Sequence, residues 1–575
     1  MASLFIEPMH YIPLRHMAGL YTLCTASFVF AQTPATIPSG NPLDTLPQPQ
    51  LQPPAPPASS SLPSQNQRLE MTQGLQPRLQ LSTQVAVTHI DIAGVRALPF
   101  EQIAQLFQPL AGKVVTIEQL ALAAQQATQA YQKAGYALSF VYLPEQNFAQ
   151  GIVKVMAVEG HTNTIQIEGD VGKSGHLLAE VAQPILDSNP LQGEVFTKQT
   201  LLMARMLNMQ VTAQAAMPTT TDGATPLVLK VKRDPVAFGL TGDFQQDDPK
   251  AIANLTLNDP LWGGSQWRFS GLLKDPKEER FANVTWNQWL NAQGTTLRMS
   301  YSDFKGQDEK QLSYLDSTTS QKKLELNISH PWLLDTQGST VLGASVFGLD
   351  YSKDYQYQFI DGNLALQDQE KVRALQAQVL WQKNHQRAAQ SANLTLTHGL
   401  DAWGAGSTRT PGLLANPAKF DFVRLALDYS LRWRFQNMVG MGLSAGGQYS
   451  PDTLPVSERI SFGGWRFGRG YRAGEAAGDQ GLGISAEINK YFPVTSMRWV
   501  KNWEPYVLYE EAQTWFHTEG WADQRLRSAS IGLRFGDQRY YALDLSVSKP
   551  MGDKSYYNPE DKVRYNMTLT YQLDL

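Results

Sequence analysis

The sequence contains one cysteine, Cys24, and that residue lies inside the amino-terminal apolar run. A signal peptidase cutting after Ala31 would remove it, which would leave the mature chain without a thiol. Disulfide bonds, cysteine-bound zinc and cysteine nucleophiles are therefore excluded for the mature protein.

Sequence signals for other cofactors and for catalysis are also lacking. The 9 histidines show no metal-binding spacing such as His-Glu-x-x-His, there is no P-loop, and the carboxylates are too dispersed to nominate a catalytic pair. The formal net charge of -4 gives no argument for a nucleic-acid partner. We therefore predict that the protein is not an enzyme and binds no metal, cofactor or nucleic acid.

Long hydrophobic runs are missing beyond the amino terminus. No segment of the mature chain offers the roughly 18 uncharged apolar residues of a membrane helix. Charged residues make up 17% of the chain, and the mean hydropathy is -0.31. Such a polar chain can still be integral to a membrane if its strands close into a barrel, because closure satisfies every backbone polar group.

Strict alternation of apolar and polar residues is present instead, and it is clearest at the carboxyl terminus. From Val563 to Leu575 the odd positions are apolar or aromatic, and the even positions are polar or charged. A soluble strand is usually about 5 to 6 residues long, whereas a strand that crosses a bilayer needs about 9 to 11. This segment has the longer length, and lipid on one face with water on the other would explain its pattern.

The same alternation recurs in the segments 423–435, 529–535 and 541–548, each with a charged or hydroxylic face. A polar face that persists through several strands favours a water-filled lumen over the dry core of a sandwich. We predict an all-β transmembrane barrel of about 16 antiparallel strands over residues 236–575, with fourteen or eighteen strands as alternatives. A barrel of this size encloses an aqueous channel, so some element should occupy or gate it.

The amino terminus has the features of a secretory signal, with Arg15 and His16 ahead of the apolar run Met17–Ala31. This pattern predicts a signal peptide over residues 1–31. Residues 32–84 are rich in Pro, Gln and Ser, which predicts an extended linker. Whether part of the linker, such as 67–81, forms a short plug helix is left open.

Between the linker and the barrel, short strands and helices alternate in a pattern that occurs twice. The first copy, 85–160, has a helical stretch from Thr116 to Ala134 that stops at Gly135, a favoured helix terminator. The second copy, 161–235, begins with a short strand and continues through two helical stretches. We predict two α+β modules, each too small for a deep catalytic cleft.

The first module contains three short motifs at a characteristic spacing, which are Tyr131-Gln-Lys-Ala-Gly135-Tyr136, Leu143-Pro144-Glu145-Gln146 and Val158-Glu159-Gly160. Before a barrel, these motifs resemble the first polypeptide-transport-associated (POTRA) domain of two-partner secretion transporters (TpsB type). That family exports haemolysins, haemagglutinins and contact-dependent inhibition toxins. The resemblance implies that a client-binding module is marked by Tyr131, Gly135, Tyr136, Leu143, Pro144, Gln146 and Gly160.

The resemblance also implies where the protein lies and what it meets. It implies the outer membrane of a Gram-negative bacterium, with POTRA 1 (85–160) and POTRA 2 (161–235) in the periplasm. The implied partners are a large secreted exoprotein of the TpsA type as the client, outer-membrane lipid, and the barrel-assembly machinery during biogenesis. An edge strand of a module can accept an extended client as an additional strand, although its alternative role is packing within the module's own sheet.

A glycine-rich loop near 461–474 contains the triplet Arg469-Gly470-Tyr471. The triplet resembles the Arg-Gly-Phe/Tyr signature of the sixth extracellular loop of the same superfamily, which implies a loop folded back into the lumen. Gly470 would permit a tight turn. A buried Arg469 would need a carboxylate partner, because an isolated charge away from water is costly.

The resemblance points to two carboxylates as partners of Arg469, one in each of the next two strands. The first is Glu487, and the second is Glu510, with Glu511 as the alternative at the second position. We expect Arg469, Gly470 and Tyr471 to form a loop lock with Glu487 and Glu510. The alternative is that these charges are solvated groups of the lumen wall.

Two other functions remain as alternatives to export. A barrel-assembly insertase of the same superfamily generally carries three or more modules, whereas this sequence predicts two. A diffusion porin would need no modules that bind polypeptide. The chain ends in Leu575, whereas many such barrels end in Phe.

Overall fold

The computed structural model describes residues 40–47, 82–148, 150–206, 209–245, 248–307, 315–359, 362–411, 417–555 and 558–574. The predicted signal peptide, most of the predicted linker including 67–81, and Leu575 lie outside the described residues. Among the helices within these ranges, none has both the length and the apolar content needed to cross a membrane.

The first module combines two helices with two small sheets. Strands β1 (Gln84–Ala86) and β3 (Val114–Thr116) pair with each other, and the second sheet has the order β2 (His89–Ala93), β5 (Ile152–Val158), β4 (Phe140–Tyr142). The helices are α1 (Phe100–Phe107) and α2 (Ile117–Lys133). Helix α2 begins with a capping box between Thr116 and Gln119. Gly135 follows its end in the left-handed conformation, with a φ of +92°.

The second module repeats this plan with a three-stranded sheet and two helices. The sheet order is β6 (His161–Gly169), β8 (Ala224–Arg233), β7 (Met209–Ala215). Helices α3 (Gly175–Asp187) and α4 (Gly193–Ala204) cover one face of the sheet. Strand β6 lies at the edge of the sheet and pairs in parallel with β8.

One hydrophobic cluster spans the joint between the two modules. Leu138, Phe140 and Val158 of the first module are buried in the same cluster as Leu227 and Leu229 of the second. Backbone hydrogen bonds also cross the joint, since the N–H of residue 193 donates to the carbonyl of residue 135 at 2.8 Å. The modules are therefore held as one packed unit.

The remaining chain forms a closed antiparallel barrel in which β28 pairs with β9. Its strands and associated short segments are β9 (Val236–Gln245), β10 (Pro249–Asn258), β11 (Ser265–Leu272), β12 (Glu279–Trp289), β13 (Thr296–Gln307), β14 (Leu315–Leu334), β15 (Gly338–Phe359), β16 (Gly362–Asn384), β17 (Ala388–Gly399), β18 (Gly406–Arg409), β19 (Val423–Arg434), β20 (Val439–Tyr449), β21 (Ile460–Phe462), β22 (Ala476–Gly478), β23 (Gln480–Lys490), β24 (Phe492–Pro493), β25 (Asn502–Trp515), β26 (Gln524–Gly536), β27 (Tyr541–Pro550) and β28 (Arg564–Asp574).

Sixteen of these strands form the wall of the barrel. The short strands β18 and β24 add to the pairing beside β16 and β25, whereas β21 and β22 form a separate hairpin. The predicted fold of α+β modules followed by an all-β barrel of about 16 antiparallel strands is confirmed.

Three neighbouring strands are much longer than a bilayer requires. Strands β14, β15 and β16 have 20, 22 and 23 residues, whereas about 9 to 11 residues cross a membrane. Their excess length rises on the side opposite the modules. There Phe347, Tyr351 and Val372 pack against Phe422 and Leu454 of the loops that connect later strands.

The second module sits against one part of the barrel rim on the side where β9 begins. Ser174 donates to Asp259 Oδ2 at 2.7 Å, and Lys173 Nζ donates to the carbonyl of Pro260 at 2.8 Å. Further along the rim, Arg205 Nη2 donates to Ser339 Oγ at 2.6 Å. Trp289 joins the core of the module, so the contact is both polar and apolar.

Candidate lock site in the barrel lumen

The loop between β20 and β23, residues 450–479, folds into the barrel, and we call it the lumen loop. Within it β21 and β22 pair as a hairpin with three register pairs, from Ile460 opposite Gly478 to Phe462 opposite Ala476. Phe462 and Ala476 are buried with Ala512 and Leu526, which belong to the barrel wall. Packing against the wall therefore holds the hairpin inside the lumen.

Glycines shape the tip of the lumen loop, because its backbone bends sharply and lies close to other chain segments. Gly463 has a φ of +117°, and a side chain there would meet the carbonyl of Arg472 at 2.0 Å. Gly470 makes a close approach of another kind. A Cβ at Gly470 would lie 2.8 Å from the backbone nitrogen of Pro550, so the absence of a side chain lets the tip reach β27.

Arg469 extends from this tip into contact with three wall strands. Its guanidinium Nη1 lies 3.3 Å from Asp544 Oδ2 of β27 and donates to the hydroxyl of Tyr506 on β25. Its backbone carbonyl accepts from Asn566 Nδ2 of β28 at 3.2 Å. The guanidinium also lies over the Tyr506 ring, 5.5 Å from the centroid.

The Glu510 carboxylate binds the backbone N–H of Arg469 rather than the guanidinium group. Glu510 Oε2 accepts from the backbone N–H of Arg469 at 2.8 Å and from Ser528 Oγ at 3.0 Å. Glu511 points to the other face of β25, where it accepts from Arg525 Nε at 2.7 Å. The structure therefore places Glu510, and not Glu511, beside the loop.

Glu487 lies in a different pair from the one that the sequence resemblance suggested. Glu487 binds Arg534 of β26 instead of Arg469, and Arg534 Nη1 lies 2.8 Å from Glu487 Oε1. Arg534 also lies 3.1 Å from Glu504 and 3.3 Å from Asp544. Arg534 reaches all three carboxylates because Glu504 and Asp544 are its direct neighbours across β25 and β27.

Tyr506 and Gly532 explain why Arg469 pairs with Asp544 rather than with Glu487. The Tyr506 ring covers Gly532, where a Cβ would lie 2.2 Å from the ring, and its hydroxyl donates to Asp544 Oδ1 at 2.6 Å. The ring therefore bridges β25 to β27 and presents Asp544 to the loop. We name this set the lock cluster, and it consists of Arg469, Glu487, Glu504, Tyr506, Glu510, Arg534 and Asp544.

Four members of the lock cluster, Glu504, Tyr506, Arg534 and Asp544, were not identified from the sequence. Tyr506 is on the same face of β25 as Glu510, and Asp544 is one of the polar positions in the alternating segment 541–548. Alternation thus indicated that they face inward. It did not indicate which of the many inward-facing groups would meet the loop.

Tyr471 anchors the loop through its ring and its hydroxyl. The side chain is 1% exposed and packs within the apolar cluster of Phe462 and Leu526. Its hydroxyl accepts from the backbone N–H of Gly552 at 2.8 Å. Arg469, Gly470 and Tyr471 thus each contact the wall in a different way.

Residues 40–47, which we call the lumen segment, lie beside the lumen loop. The segment contains a short 3-10 helix, Pro42–Thr45. Asp44 Oδ2 accepts from Ser461 Oγ of the loop at 2.8 Å, and Lys250 Nζ of the wall donates to Thr45 Oγ1 at 3.2 Å. Part of the predicted linker is therefore helical inside the lumen.

Most marker residues of the first module hold the module together. Tyr131 is buried and its hydroxyl donates to Glu159 Oε1 at 2.9 Å. Burial, followed by this hydrogen bond and the charge of Glu159, raises the pKa of Tyr131 well above its ordinary value. Glu159 Oε1 also accepts from the backbone N–H groups of Arg96 and Ala97, at 2.7 Å each.

Two further markers act through close packing, and a third through ring contact. Gly160 has no room for a side chain, because a Cβ would lie 2.4 Å from the carbonyl of Leu138. Leu143 is buried in the core of the first module. The ring of Tyr136 packs edge-on against that of Tyr131, with centroids 6.3 Å apart.

Gln146 closes part of the sheet edge in the first module. Its side-chain amide donates to the carbonyl of Lys154 at 2.8 Å and accepts from the N–H of the same residue at 2.7 Å. The amide thereby stands where a neighbouring strand would pair with β5, and it also donates to the carbonyl of Pro144 at 3.3 Å. A client strand would find these groups of β5 already bonded.

In the part of the chain that the structure describes, no group of three or more His, Cys, Asp or Glu side chains is arranged to hold a metal ion. The arrangement in the lumen is instead one of ion pairs and hydrogen bonds between a loop and a wall. Such contacts can hold the loop in one position and can break without covalent change.

Comparisons with known proteins give two family matches. A model described as "POTRA domain, ShlB-type" matches residues 85–160. A model described as "Haemolysin secretion/activation protein ShlB/FhaC/HecB" matches residues 241–535, which is just over half of the chain.

Curated relatives are distant but extensive. The heme/hemopexin transporter protein HuxB of Haemophilus influenzae is 23% identical over 532 residues, covering 82% of this chain and 83% of HuxB. The outer membrane transporter CdiB of Escherichia coli is 22% identical over 421 residues, covering 70% of this chain and 68% of CdiB.

Solved structures share the fold. CdiB from Escherichia coli aligns with a TM-score of 0.62 at 17% identity, covering 88% of this chain and 96% of the CdiB chain. BamA from Haemophilus ducreyi, lacking POTRA domains 1-3, aligns with a TM-score of 0.50 at 15% identity, covering 85% and 100% of the two chains.

Proposed function

The chain belongs to the haemolysin secretion/activation protein family (ShlB/FhaC/HecB) of outer-membrane transporters, and on this premise we propose that it exports an unfolded secreted protein through its barrel. The client is a large exoprotein of the TpsA type. It binds the periplasmic modules as an extended chain, enters the lumen, and leaves at the cell surface. The heme/hemopexin transporter protein HuxB and the outer membrane transporter CdiB are relatives consistent with this role.

The observation that carries the proposal is the position of an exposed edge strand next to a barrel rim. Strand β6 pairs with β8 on one side only, and most of its residues from 163 to 169 are exposed. The same module contacts the rim through Ser174 and Asp259. An extended client paired with β6 would therefore be held close to the periplasmic opening.

Main-chain pairing suits a client that has not folded. Strand addition draws its affinity from backbone N–H and C=O groups, so it does not require a folded epitope. In the first module, β2 is also an edge strand, and its burial alternates between exposed and half-buried positions. The proposal assigns client docking to the open edges of β2 and β6, because Gln146 already bonds Lys154 of β5.

Passage through the lumen requires the lumen loop and the lumen segment to move. Both lie inside the barrel and contact each other through Asp44 and Ser461. The lock cluster makes noncovalent contacts from the loop to β25 and β27. We propose that the cluster holds the resting position and that an arriving client displaces the loop.

The closing strand pair favours a route through the lumen over a sideways route into lipid. Strands β28 and β9 share nine register pairs, from Asn566 opposite Gln245 to Asp574 opposite Ala237. The neighbouring pairs β27 with β28 and β9 with β10 share eight and nine. An insertase that opens its wall would benefit from a short closing pair, and this pair is as long as its neighbours.

The proposal is tested by co-expression with a candidate secreted partner. We expect the partner to appear outside the cell only when this protein is present. Normal export of the partner without the protein, combined with poor assembly of other barrels when it is deleted, would favour the insertase function. A small-solute permeability defect as the sole consequence of deletion would favour a porin.

A further inference from the structure

The periplasmic rim of the barrel carries one turn that is much longer than its neighbours. Residues 491–501, which include the two-residue strand β24, connect β23 to β25, whereas residues 435–438 and 537–540 make the two nearby turns. The second module contacts the rim elsewhere, at Asp259, Pro260 and Ser339. The long turn is therefore on a part of the rim that those module contacts leave open.

The long turn joins exposed apolar side chains to exposed cations. Met497 is 57% exposed and Trp499 is 69% exposed, which are large values for side chains of this type. Arg498 lies over the Trp499 ring, 5.3 Å from its centroid, and Lys501 is exposed two residues further on. A side chain with an apolar body beside a cation suits the boundary between lipid tails and headgroups.

The 537–540 turn adds a third cation to the same patch. The two turns are in direct contact, since the Tyr541 hydroxyl donates to the carbonyl of Trp499 at 2.9 Å and the N–H of Lys501 donates to the carbonyl of Gly536 at 2.8 Å. Arg539 is exposed and lies over the Tyr540 ring at 4.6 Å. The patch therefore contains Arg498, Lys501 and Arg539, and we call these three residues the rim cations.

Carboxylates do little to neutralise the rim cations. The sequence from 491 to 501 has no Asp or Glu, and Asp537 is the acidic residue of the shorter turn. Asp537 Oδ1 accepts from the backbone N–H groups of Arg539, Tyr540 and Tyr541, at 3.0, 2.7 and 3.0 Å. That carboxylate is thus bonded to its own turn, and the outward charge of the patch is positive.

The patch continues the lipid-facing surface of the barrel. Trp503, Val507 and Ile531, on the strands that leave the two turns, are 42%, 58% and 70% exposed. Acyl chains against these side chains would place their headgroups at the level of the turns. The occupant must therefore combine an apolar tail with a negatively charged head.

We propose that the rim cations form a binding site for the headgroup of an anionic phospholipid in the periplasmic leaflet. The phosphate lies among Arg498, Lys501 and Arg539, and the acyl chains lie along Trp503 and Ile531. The long turn also joins the strands that carry Glu487 and Glu510. Lipid bound there anchors the part of the wall that holds the lock cluster, independently of any client.

The test measures lipid preference on the purified full chain. Native mass spectrometry of the protein with equal amounts of phosphatidylglycerol and phosphatidylethanolamine should show preferential retention of phosphatidylglycerol. The triple variant R498Q/K501Q/R539Q should lose at least about fivefold of that preference, which is roughly the value of one basic residue near an anionic surface. The lysine variant R498K/R539K should retain most of the preference.

A matched control removes the same charge elsewhere. Lys113, Lys277 and Lys554 are exposed and lie on the first module and on extracellular loops, so K113Q/K277Q/K554Q should leave the preference unchanged.

Equal retention of the two lipids by the wild type, or an unchanged preference in the rim variant, would overturn the proposal. Full competition by inorganic phosphate would overturn it as well, because the patch would then be a free-phosphate site. If the triple variant fails to assemble, the wild-type lipid comparison and the three single variants decide the question.

Discussion

At the scale of single residues, Arg469 carries the contact between the lumen loop and the wall. Its side chain bonds Asp544 and Tyr506, and its backbone bonds Glu510 and Asn566. The side-chain contacts involve groups that are largely removed from water, where a hydrogen bond to a charged group contributes more than it does at the surface. The loop therefore depends on this arginine more than on any exposed ion pair.

Replacement of Arg469 by Ala should loosen the loop and reduce export of the client while the barrel still assembles. Asp544 keeps Arg534 as a partner, so the expected loss is that of hydrogen bonds to a charged group, about 1.5 to 3 kcal/mol, which is enough to shift the loop from its resting position. Export assays and single-channel conductance would measure the two effects. The control is R525A, which breaks the exposed pair with Glu511 on the other face of β25. Unchanged export and unchanged conductance in R469A would show that the loop lock has no such role.

In the first module, the Tyr131 hydroxyl is predicted to stabilise the domain through Glu159. Tyr131→Phe removes one bond to a carboxylate that keeps its two backbone donors, and hydrogen bonds to charged groups contribute about 1.5 to 3 kcal/mol. The urea concentration at which proteases cleave the module in the full chain should fall. Tyr136→Phe is the control, since that ring packs against Tyr131 while its hydroxyl makes none of the described hydrogen bonds. Equal protease resistance of both variants would contradict the assignment.

At the scale of elements, the edge strand β6 is the predicted docking site for the client. The predicted absence of thiols in the mature chain gives a direct test, because an introduced cysteine would be the sole thiol of the protein. Cysteines at Asn163, Gln166 and Glu168, all exposed on β6, should form disulfides with a cysteine placed in the client. A cysteine at Thr221, exposed in the turn before β8, should not. Equal cross-linking at all four positions would argue against docking along β6.

The elements that could be predicted from the sequence are those whose pattern is local. The alternation of 541–548 predicted a strand, and β27 spans Tyr541–Pro550. The cap at Thr116 and the glycine at 135 bracket helix α2 because both act on the backbone within one turn. The hairpin of β21 and β22 was not predicted, since three-residue strands carry too little pattern to be recognised.

At the scale of the whole molecule, the lumen segment connects the amino-terminal part of the chain to the lumen loop. A Cβ at Gly40 would lie 3.2 Å from the Cβ of Ala477, slightly shorter than the about 3.5 to 4.5 Å of a disulfide. Gly40→Cys with Ala477→Cys should therefore cross-link after a small shift. We expect oxidation to stop export and reduction to restore it, because the cross-link fixes both elements in the lumen.

The single variants Gly40→Cys and Ala477→Cys are the controls for the cross-link, and both should export the client in oxidising medium. Continued export by the fully cross-linked double variant would show that a client can pass without displacement of the lumen segment. The degree of cross-linking can be read from mobility on a gel, so that outcome can be told apart from incomplete oxidation.

The sequence by itself determined the class of the protein. Period-two alternation depends on which face of a strand meets lipid, so it is legible in each strand alone and predicted both the barrel and its polar lumen. The glycines and Arg469 of the lumen loop also marked the loop, because tight turns and buried charge restrict the residues that can stand there. In the same way, the marker residues of the first module identified the domain.

The tertiary structure alone decided which groups meet across the lumen. Arg469 and Asp544 are 75 positions apart, and their contact depends on the register of three strands and on Tyr506 lying over Gly532. Many inward-facing carboxylates satisfy the same local pattern, so alternation cannot choose among them. For the same reason Glu487 was assigned to Arg469 from resemblance, whereas the folded barrel pairs it with Arg534.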